Sequence, residues 1–283
     1  MDSKNYRLLI RTALAEDLGE EGDVTSRALF SGMEKSSFRL LSKSNGVLCG
    51  IEVFSAVFAE LDGEIVVEAY KKDGERLAEG EIVARVKGPT REILTGERTA
   101  LNFISHLSGI ATRTRRLVEA GKSAGPGTPA VLDTRKTIPG MRSLQKYAVT
   151  TGGAKNHRMG LFDMVMLKDN HIDAAGGIAA AVKTVRTVWG SRFKIEVEAR
   201  TLDDVREALS AGVDRIMLDN MDDRTMREAA NLAAGKVETE ASGNMTLQRL
   251  VGLAGSGITY ASFGELTHTV EAFDFSLKQE KEA

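Results

Sequence analysis

The second half of the chain alternates short apolar runs with amphipathic segments, and this pattern constrains the fold more than any other feature. The runs after Gly125 are AVLDTRK, MVMLKDN, KIEVEAR, RIMLDN, KVETEASGN and YASFGE. Segments such as TLDDVREALSAG and DDRTMREAANLAAG lie between them, have apolar residues at helical spacing and end in glycine. Such a βα repeat predicts a parallel sheet, either in an α/β barrel or doubly wound.

The N-terminal part of the chain has a different rhythm. Residues 6–18 show helical spacing, and residues 37–87 alternate apolar and polar side chains in short runs between Gly- and Asp-bearing turns. This alternation predicts antiparallel strands, interrupted by a helix at IEVFSAVFAEL. A longer helix is predicted from Arg91 to about Leu107, ending near Gly109, ahead of the Gly/Pro-rich linker AGKSAGPGTPA.

Composition limits the classes of partner. The 283 residues carry a formal net charge of −2, which gives no electrostatic reason to expect nucleic acid or an anionic membrane surface. No apolar stretch is long enough to cross a bilayer, and the charged N-terminus is unlike a signal peptide, so we expect a cytoplasmic location. The single cysteine, Cys49, lies in an apolar run and is predicted to be a buried core residue.

Polar residues follow the apolar core of nearly every predicted barrel strand. They are Arg135, Lys136, Lys168, Glu198, Asp219, Ser242 and Gly243. In α/β barrels, the carboxyl ends of the strands carry the active site. A purely structural barrel has no need for cations and carboxylates alternating on one rim, so we expect a catalytic site there.

The stretch from Asp133 to His171 is locally basic. Its cations are Arg135, Lys136, Arg142, Lys155, Arg158 and Lys168, accompanied by His157 and His171. Arginine grips carboxylates through a rigid fork and lysine suits phosphate as a point charge, so the two kinds together predict a carboxylic acid beside a phosphorylated partner. The alternative is a solvated helix face, which fits Arg142 and Lys146 on the helical stretch MRSLQKYAVTTG. It fits the strand-end cations poorly, because charge at the end of an apolar strand is costly.

Two carboxylates, Glu198 and Asp219, end successive predicted strands on the same rim. Facing a phosphate-rich ligand, such groups commonly hold Mg²⁺ together with waters and phosphate oxygens. They could equally form a general acid and base pair, or serve as salt-bridge partners of the nearby cations. Spacing alone leaves these three interpretations open.

Two turns of small residues come late in the repeat. ASGN precedes the predicted helix TLQRLVGLAG, and SFGE precedes the predicted helix LTHTVEAF. Backbone N–H groups at a helix N-terminus bind anions, and barrels often place a phosphate after their last two strands. The pair of turns therefore favours a phosphorylated substrate.

These motifs together closely resemble the quinolinate phosphoribosyltransferase family. The resemblance is carried by DTRKTIPGMRSLQKYAV, GGAKNHRMGLFDMVMLKDNHI, GERTALNFISHLSGIAT and VEAR…IMLDN…EASGN…FGELTH, and it extends over nearly the whole chain. It implies an α/β fold made of an N-terminal α/β sandwich, residues 1–110 with 270–283 returning to it, and an open, incomplete α/β barrel of parallel strands, residues 111–269.

The resemblance also implies a reaction. The pyridine nitrogen of quinolinate attacks C1 of phosphoribosyl pyrophosphate, pyrophosphate leaves with Mg²⁺, and loss of the 2-carboxylate as CO₂ gives nicotinate mononucleotide, a step of NAD biosynthesis. A cationic environment would help to stabilise the negative charge that develops at C2, although the ribosylated ring nitrogen does most of this itself.

Residue roles are implied at the matching positions. The quinolinate-binding positions are Arg135, His157, Arg158 and Lys168. The positions that handle phosphoribosyl pyrophosphate and its metal are Lys136, Glu198 and Asp219, and those of the 5′-phosphate loops are Ser242, Gly243 and Gly264. The residues implied to act in catalysis are Lys136, Lys168, Glu198 and Asp219. Arg98 matches an arginine that reaches into the neighbouring subunit's site, which implies at least a homodimer with a shared active site. Glu265 departs from the family, where many relatives have an uncharged residue after the last glycine.

Two other functions remain as alternatives. A paralogue of the same fold could take a different acid, although such relatives tend to lose the NHR and KDNH elements that are intact here. A non-catalytic phosphate-binding protein would have no need for Glu198 and Asp219 together.

Overall fold

The computed structural model describes residues 3–280, with side chains from residue 6 onward. Its strands are β1 (Lys35–Ser42), β2 (Gly46–Val47), β3 (Val66–Ala69), β4 (Arg76–Leu77), β5 (Ile82–Pro89), β6 (Ala130–Leu132), β7 (Val165–Leu167), β8 (Ile195–Ala199), β9 (Arg215–Asp219), β10 (Glu238–Ser242), β11 (Tyr260–Ser262) and β12 (Phe275–Gln279). Its helices are α1 (Ser3–Leu18), α2 (Val24–Leu29), α3 (Ile51–Leu61), α4 (Thr90–Ala124), α5 (Arg142–Thr151), α6 (Asp169–Ala175), α7 (Ile178–Trp189), α8 (Leu202–Ala211), α9 (Asp223–Ala233), α10 (Leu247–Gly252) and α11 (Glu265–His268).

The chain divides into two compact units. The first comprises the residues up to Arg115, the segment Thr137–Gly153 and the chain from Thr267 onward, and the second comprises Arg116–Lys136 and Ala154–Leu266. Thr137–Gly153 thus groups with the first unit, although it falls within the predicted barrel range of 111–269. The predicted domain boundaries themselves stay a prediction.

The first unit is built on a 4-stranded antiparallel sheet with the order β12-β1-β5-β3. The alternating runs form these strands because every second side chain, such as Phe38 and Leu40 in β1, is buried. In α3, the buried side chains include Phe54 and Phe58, one helical turn apart, with ring centroids 5.1 Å apart. The predicted antiparallel strands and the helix at IEVFSAVFAEL are confirmed.

The second unit is built on a 6-stranded parallel sheet with the order β6-β11-β10-β9-β8-β7. Among the described residues, the terminal strands β6 and β7 do not pair with each other, so the sheet stays open. Helices alternate with the strands. Helix α8 contacts β8, and α9 contacts β10. The predicted fold class, an α/β protein with an antiparallel sheet and an incomplete parallel barrel, is confirmed.

The predicted end of the long helix near Gly109 is wrong. Helix α4 runs for 35 residues, from Thr90 to Ala124. Gly109 resembles a helix C-cap in the sequence, but it lies inside the helix where a Cβ atom would overlap the carbonyl oxygen of Glu271. The glycine permits a close backbone approach and does not end the helix.

The expectation that Lys146 is a surface charge is also wrong. Lys146 is fully buried in α5, together with Gln145. Gln145 Oε1 accepts the backbone N–H of Ile138 at 2.9 Å, and Tyr147 donates its hydroxyl proton to Asp73 Oδ2 at 2.9 Å. These contacts bury one face of α5 within the first unit. The basic residues in the sequence of α5 do not indicate this burial.

The predicted helix LTHTVEAF is shorter than expected, because α11 ends at His268. The chain beyond it is extended, and the backbone N–H of Phe273 donates to Ser105 O at 2.9 Å. Along residues 3–280, no helix has both the length and the apolar character needed to span a membrane.

Candidate active site

A pocket of about 410 Å³ opens at the carboxyl-terminal edge of the parallel sheet, within the second unit. The predicted residues that line it are Arg135, Lys136, His157, Arg158, Lys168, Glu198, Asp219 and Ser242. Parallel strands bring their carboxyl ends to one edge, which is why residues far apart in the sequence meet here. The structure thus brings most of the predicted site residues together in one cavity.

Sheet register explains which side chains face the pocket. Glu198 in β8 pairs with Met217 in β9, and Met217 pairs with Glu240 in β10. Two residues later on both strands, Asp219 pairs with Ser242. All five line the pocket, because residues at i and i+2 of a strand share a face.

Lys168 and Glu198 form an ion pair across two neighbouring strands. Lys168 Nζ lies 3.0 Å from Glu198 Oε2, with the lysine side chain 48% exposed and the glutamate 11%. His171 Nδ1 accepts the backbone N–H of Lys168 at 3.1 Å and so orders the start of α6. Of the three interpretations open for Glu198, the salt bridge is therefore present in this structure. Asp219 accepts a hydrogen bond from Asn220 Nδ2 at 2.8 Å.

His157 lines the pocket and contacts two fully buried carboxylates. Its Nε2 lies 3.1 Å from Glu196 Oε2 and 3.3 Å from Glu240 Oε2. Burial lowers the pKa of His157, but the two glutamates outweigh it and raise the pKa to about 9. Burial, and then the charge of Glu240, raises the pKa of Glu196.

Arg158 lies at the pocket wall with its guanidinium anchored to backbone. Its Nη1 donates to Met164 O at 3.1 Å. Burial lowers the pKa of Arg158, as does the positive charge of Arg135, while Glu196 acts in the opposite direction. Two arginines close enough to repel each other in one cavity are suited to an anion with more than one negative group.

The loop after β10 contains Gly243, one of the predicted phosphate-loop residues. Gly243 has φ +91°, and a Cβ atom there would overlap Asn220 Oδ1, so the position demands glycine. Its carbonyl accepts a hydrogen bond from Arg249 Nη1 at 2.9 Å. Neither Gly243 nor Gly264 is among the described residues that line the pocket. Glu265 is the first residue of α11 and is half-buried.

Arg98 belongs to the first unit, where it is exposed on α4. Its predicted role in a neighbouring subunit's site stays a prediction.

Sequence reasoning did not identify several residues of the site. Thr134, Met166, Met217, Glu240 and Ser262 also line the pocket, and Glu196 contacts His157. The available signal was the two-residue period of the strands. Glu196 and Glu240 each stand two residues before a predicted site residue, and so share its face of the sheet.

Two protein-family models match this chain. The model described as the N-terminal domain of quinolinate phosphoribosyl transferase matches residues 23–108, and the one for its C-terminal domain matches residues 110–278. The chain belongs to the quinolinate phosphoribosyltransferase family. The resemblance in the sequence motifs is thereby confirmed.

Members of the quinolinate phosphoribosyltransferase family with known structures are similar over nearly the whole chain. NadC from Streptococcus pyogenes is 40% identical, with a TM-score of 0.93, and the match covers 98% of this chain and 97% of that one. The nicotinate-nucleotide pyrophosphorylase from Francisella tularensis is 38% identical, with a TM-score of 0.94, covering 99% and 98%. The Arabidopsis thaliana protein named nicotinate-nucleotide pyrophosphorylase (carboxylating), chloroplastic, is 42% identical over 98% of this chain and 84% of its own length.

Proposed function

We propose that this chain transfers the phosphoribosyl group of phosphoribosyl pyrophosphate to quinolinate with decarboxylation, producing nicotinate mononucleotide, pyrophosphate and CO₂ in NAD biosynthesis. The observation that carries the proposal is the pocket of about 410 Å³, in which clustered cations stand beside two carboxylates on neighbouring strands. Membership of the quinolinate phosphoribosyltransferase family supports it.

The acid is assigned to the cationic side of the pocket. Arg135 and Arg158 offer guanidinium forks to the two carboxylates, and His157 lines the pocket with them. Lys168 can leave Glu198 for the acid, because its side chain is half exposed. In this arrangement the cations orient the diacid so that its ring nitrogen is presented to C1 of the sugar.

The carboxylate side is assigned to phosphoribosyl pyrophosphate and Mg²⁺. Glu198 and Asp219 line the pocket on adjacent strands, and their oxygen donors are of the kind that Mg²⁺ takes, so the residues present fit the ion. Bound there, Mg²⁺ would offset charge on the departing pyrophosphate. Lys136 would add a positive charge, and Ser242 with the glycines Gly243 and Gly264 would hold the 5′-phosphate.

The decarboxylation needs little from the protein beyond orientation and charge. Once the ring nitrogen is ribosylated it is cationic and can accept the electron pair left by CO₂, while the surrounding cations stabilise the negative charge at C2. We further propose a homodimer or larger homo-oligomer in which Arg98 completes the neighbouring site, and a cytoplasmic location.

Product formation tests the proposal. The purified protein is incubated with quinolinate, phosphoribosyl pyrophosphate and Mg²⁺, and nicotinate mononucleotide and CO₂ are measured. Nicotinate and other pyridine carboxylates in place of quinolinate serve as matched controls for the paralogue alternative. Of the acids tested, only quinolinate is expected to be turned over. Absence of product from quinolinate at every substrate concentration would refute the proposal.

A further inference from the structure

Two fully buried glutamates at the pocket have a role that the assigned site residues do not explain: Glu240, which lines it, and Glu196, which contacts His157. A carboxylate with no exposed surface is costly unless a partner offsets its charge. Both approach the same atom, His157 Nε2, at 3.1 and 3.3 Å. Two buried carboxylates that converge on one imidazole nitrogen indicate that the orientation of this ring matters.

The other edge of the ring is held as well. His157 Nδ1 accepts the backbone N–H of Arg158 at 2.6 Å, and the backbone N–H of His157 donates to the buried carboxylate of Asp133 at 2.7 Å. The ring is therefore contacted at both nitrogens, with Nδ1 against the Arg158 backbone and Nε2 against the two carboxylates.

Glu240 is itself fixed from the opposite side. Arg215 Nη1 lies 3.3 Å from Glu240 Oε2 and Arg215 Nη2 lies 3.1 Å from Glu238 Oε2, and the guanidinium stacks 4.3 Å from the ring centroid of Tyr260. The Arg215 side chain is only 12% exposed. A continuous line of contacts therefore runs from Tyr260 through Arg215 and Glu240 to His157, and from His157 to the backbone of Arg158.

We propose that Glu196 and Glu240 are positioning residues, which hold the orientation of the His157 imidazole and thereby fix Arg158 for the incoming acid. The inference rests on the proposed function and adds to it buried residues at the pocket that set quinolinate affinity. It predicts that losing either glutamate weakens binding of the acid. Binding of phosphoribosyl pyrophosphate should not change, because the protein carboxylates assigned to it are Glu198 and Asp219.

Steady-state kinetics on Glu240→Leu, with Glu240→Gln and Glu238→Gln alongside, test this. Leucine removes the acceptor, glutamine keeps an acceptor oxygen without charge, and Glu238→Gln alters the same network without touching His157. We expect Glu240→Leu to raise the KM for quinolinate about tenfold or more, because small displacements of a positioning group have large effects. Glutamine should restore part of the loss, and Glu238→Gln should leave both KM values near those of the wild type.

A spectroscopic measurement keeps the proposal testable if Glu240→Leu does not fold. The chain has only 4 histidines, so the ¹⁵N imidazole signals of His157 can be assigned with a His157→Asn variant. Glu240→Gln should shift the Nε2 signal of His157, whereas Glu238→Gln should leave it unchanged.

Three results would overturn the inference: a His157 Nε2 signal that Glu240→Gln leaves unchanged, equal rises in both KM values, or a quinolinate KM in Glu240→Leu that matches Glu238→Gln. Absence of turnover by the wild type in the same assay would instead refute the proposed function, and this inference with it.

Discussion

The two faces of the parallel sheet carry opposite chemistry on the same strands. In β8, Ile195 and Val197 are fully buried apolar residues, whereas Glu196 and Glu198 point to the pocket side. In β9, Ile216 and Leu218 alternate in the same way with Arg215, Met217 and Asp219. The apolar face has helices beside it and supplies stability, while the polar face supplies the site.

This comparison shows how one short strand can serve two purposes. A period of two places neighbouring residues on opposite faces, so a single step along the chain moves from core to site. Substitutions one residue apart should therefore separate stability from activity, and the predictions below test that separation.

The largest effect is expected from Arg135→Ala on the polar side. Removing a guanidinium that binds a carboxylate should weaken quinolinate binding by about 4 kcal/mol, close to a thousandfold, and largely spare phosphoribosyl pyrophosphate. Isothermal titration with each substrate measures this. Arg206→Ala, on the exposed face of α8, is the control. Equal loss of both substrates would show that Arg135 does not belong to the acid subsite.

On the apolar side, Ile216→Ala should lower the free energy of unfolding by about 3 kcal/mol, because the side chain is fully buried and its removal leaves a cavity. The KM for quinolinate should stay the same in the folded protein. Denaturant titration measures the free energy of unfolding, and steady-state kinetics measure the KM. A large rise in KM with little loss of stability would break the division between the faces.

A smaller effect is expected from Asp219→Asn. Asp219 follows Leu218 in the chain and lies on the polar face. Loss of one carboxylate should raise the Mg²⁺ concentration needed for activity about tenfold and increase the KM for phosphoribosyl pyrophosphate. Kinetics over a Mg²⁺ series measure it, with Asp203→Asn at an exposed position as the control. An unchanged Mg²⁺ requirement would leave Asp219 outside the metal site.

The smallest effect concerns the turn beside Arg158. Asp163 accepts the backbone N–H groups of Met159 and Gly160 at 2.7 and 2.9 Å. Partial burial raises its pKa, but these bonds outweigh it and lower the pKa. Asp163→Asn should cost about 0.5 kcal/mol near neutral pH, a value discounted for solvent screening of this exposed residue.

The pH dependence of that cost has a definite sign. Because the folded-state pKa of Asp163 lies below its unfolded value of about 4, the stabilisation is present above that pH and is lost as the pH falls through the folded pKa. Unfolding curves of wild type and Asp163→Asn should therefore converge in acid. A difference that grows in acid would contradict the assignment.

The sequence predicted most of the fold because its periods are clear. Alternation in β1 and β5 and helical spacing in α3 follow directly from which side chains are buried. The extent of α4 was not predictable from Gly109, because a glycine that allows close backbone packing looks the same in sequence as one that ends a helix. Burial of Lys146 was not predictable either, because it depends on what packs around α5, which the local pattern does not encode.

The site was predictable where residues stand at strand ends and less so within strands. Lys168, Glu198 and Asp219 break apolar runs and so attract notice. Glu196 and Glu240 look like ordinary alternating polar positions of a half-exposed strand. Only the register of β8, β9 and β10, together with a pocket on their inner face, shows that both are buried at the site.

The edge strand β12 has a consequence for how the chain is synthesised. It comes far after β1 in the chain, yet it pairs along β1, from Phe38↔Gln279 to Ser42↔Phe275. A ribosome releases β1 long before β12, so this edge of β1 has no hydrogen-bonding partner strand until β12 emerges. During that interval β1 is exposed to pairing with another nascent chain.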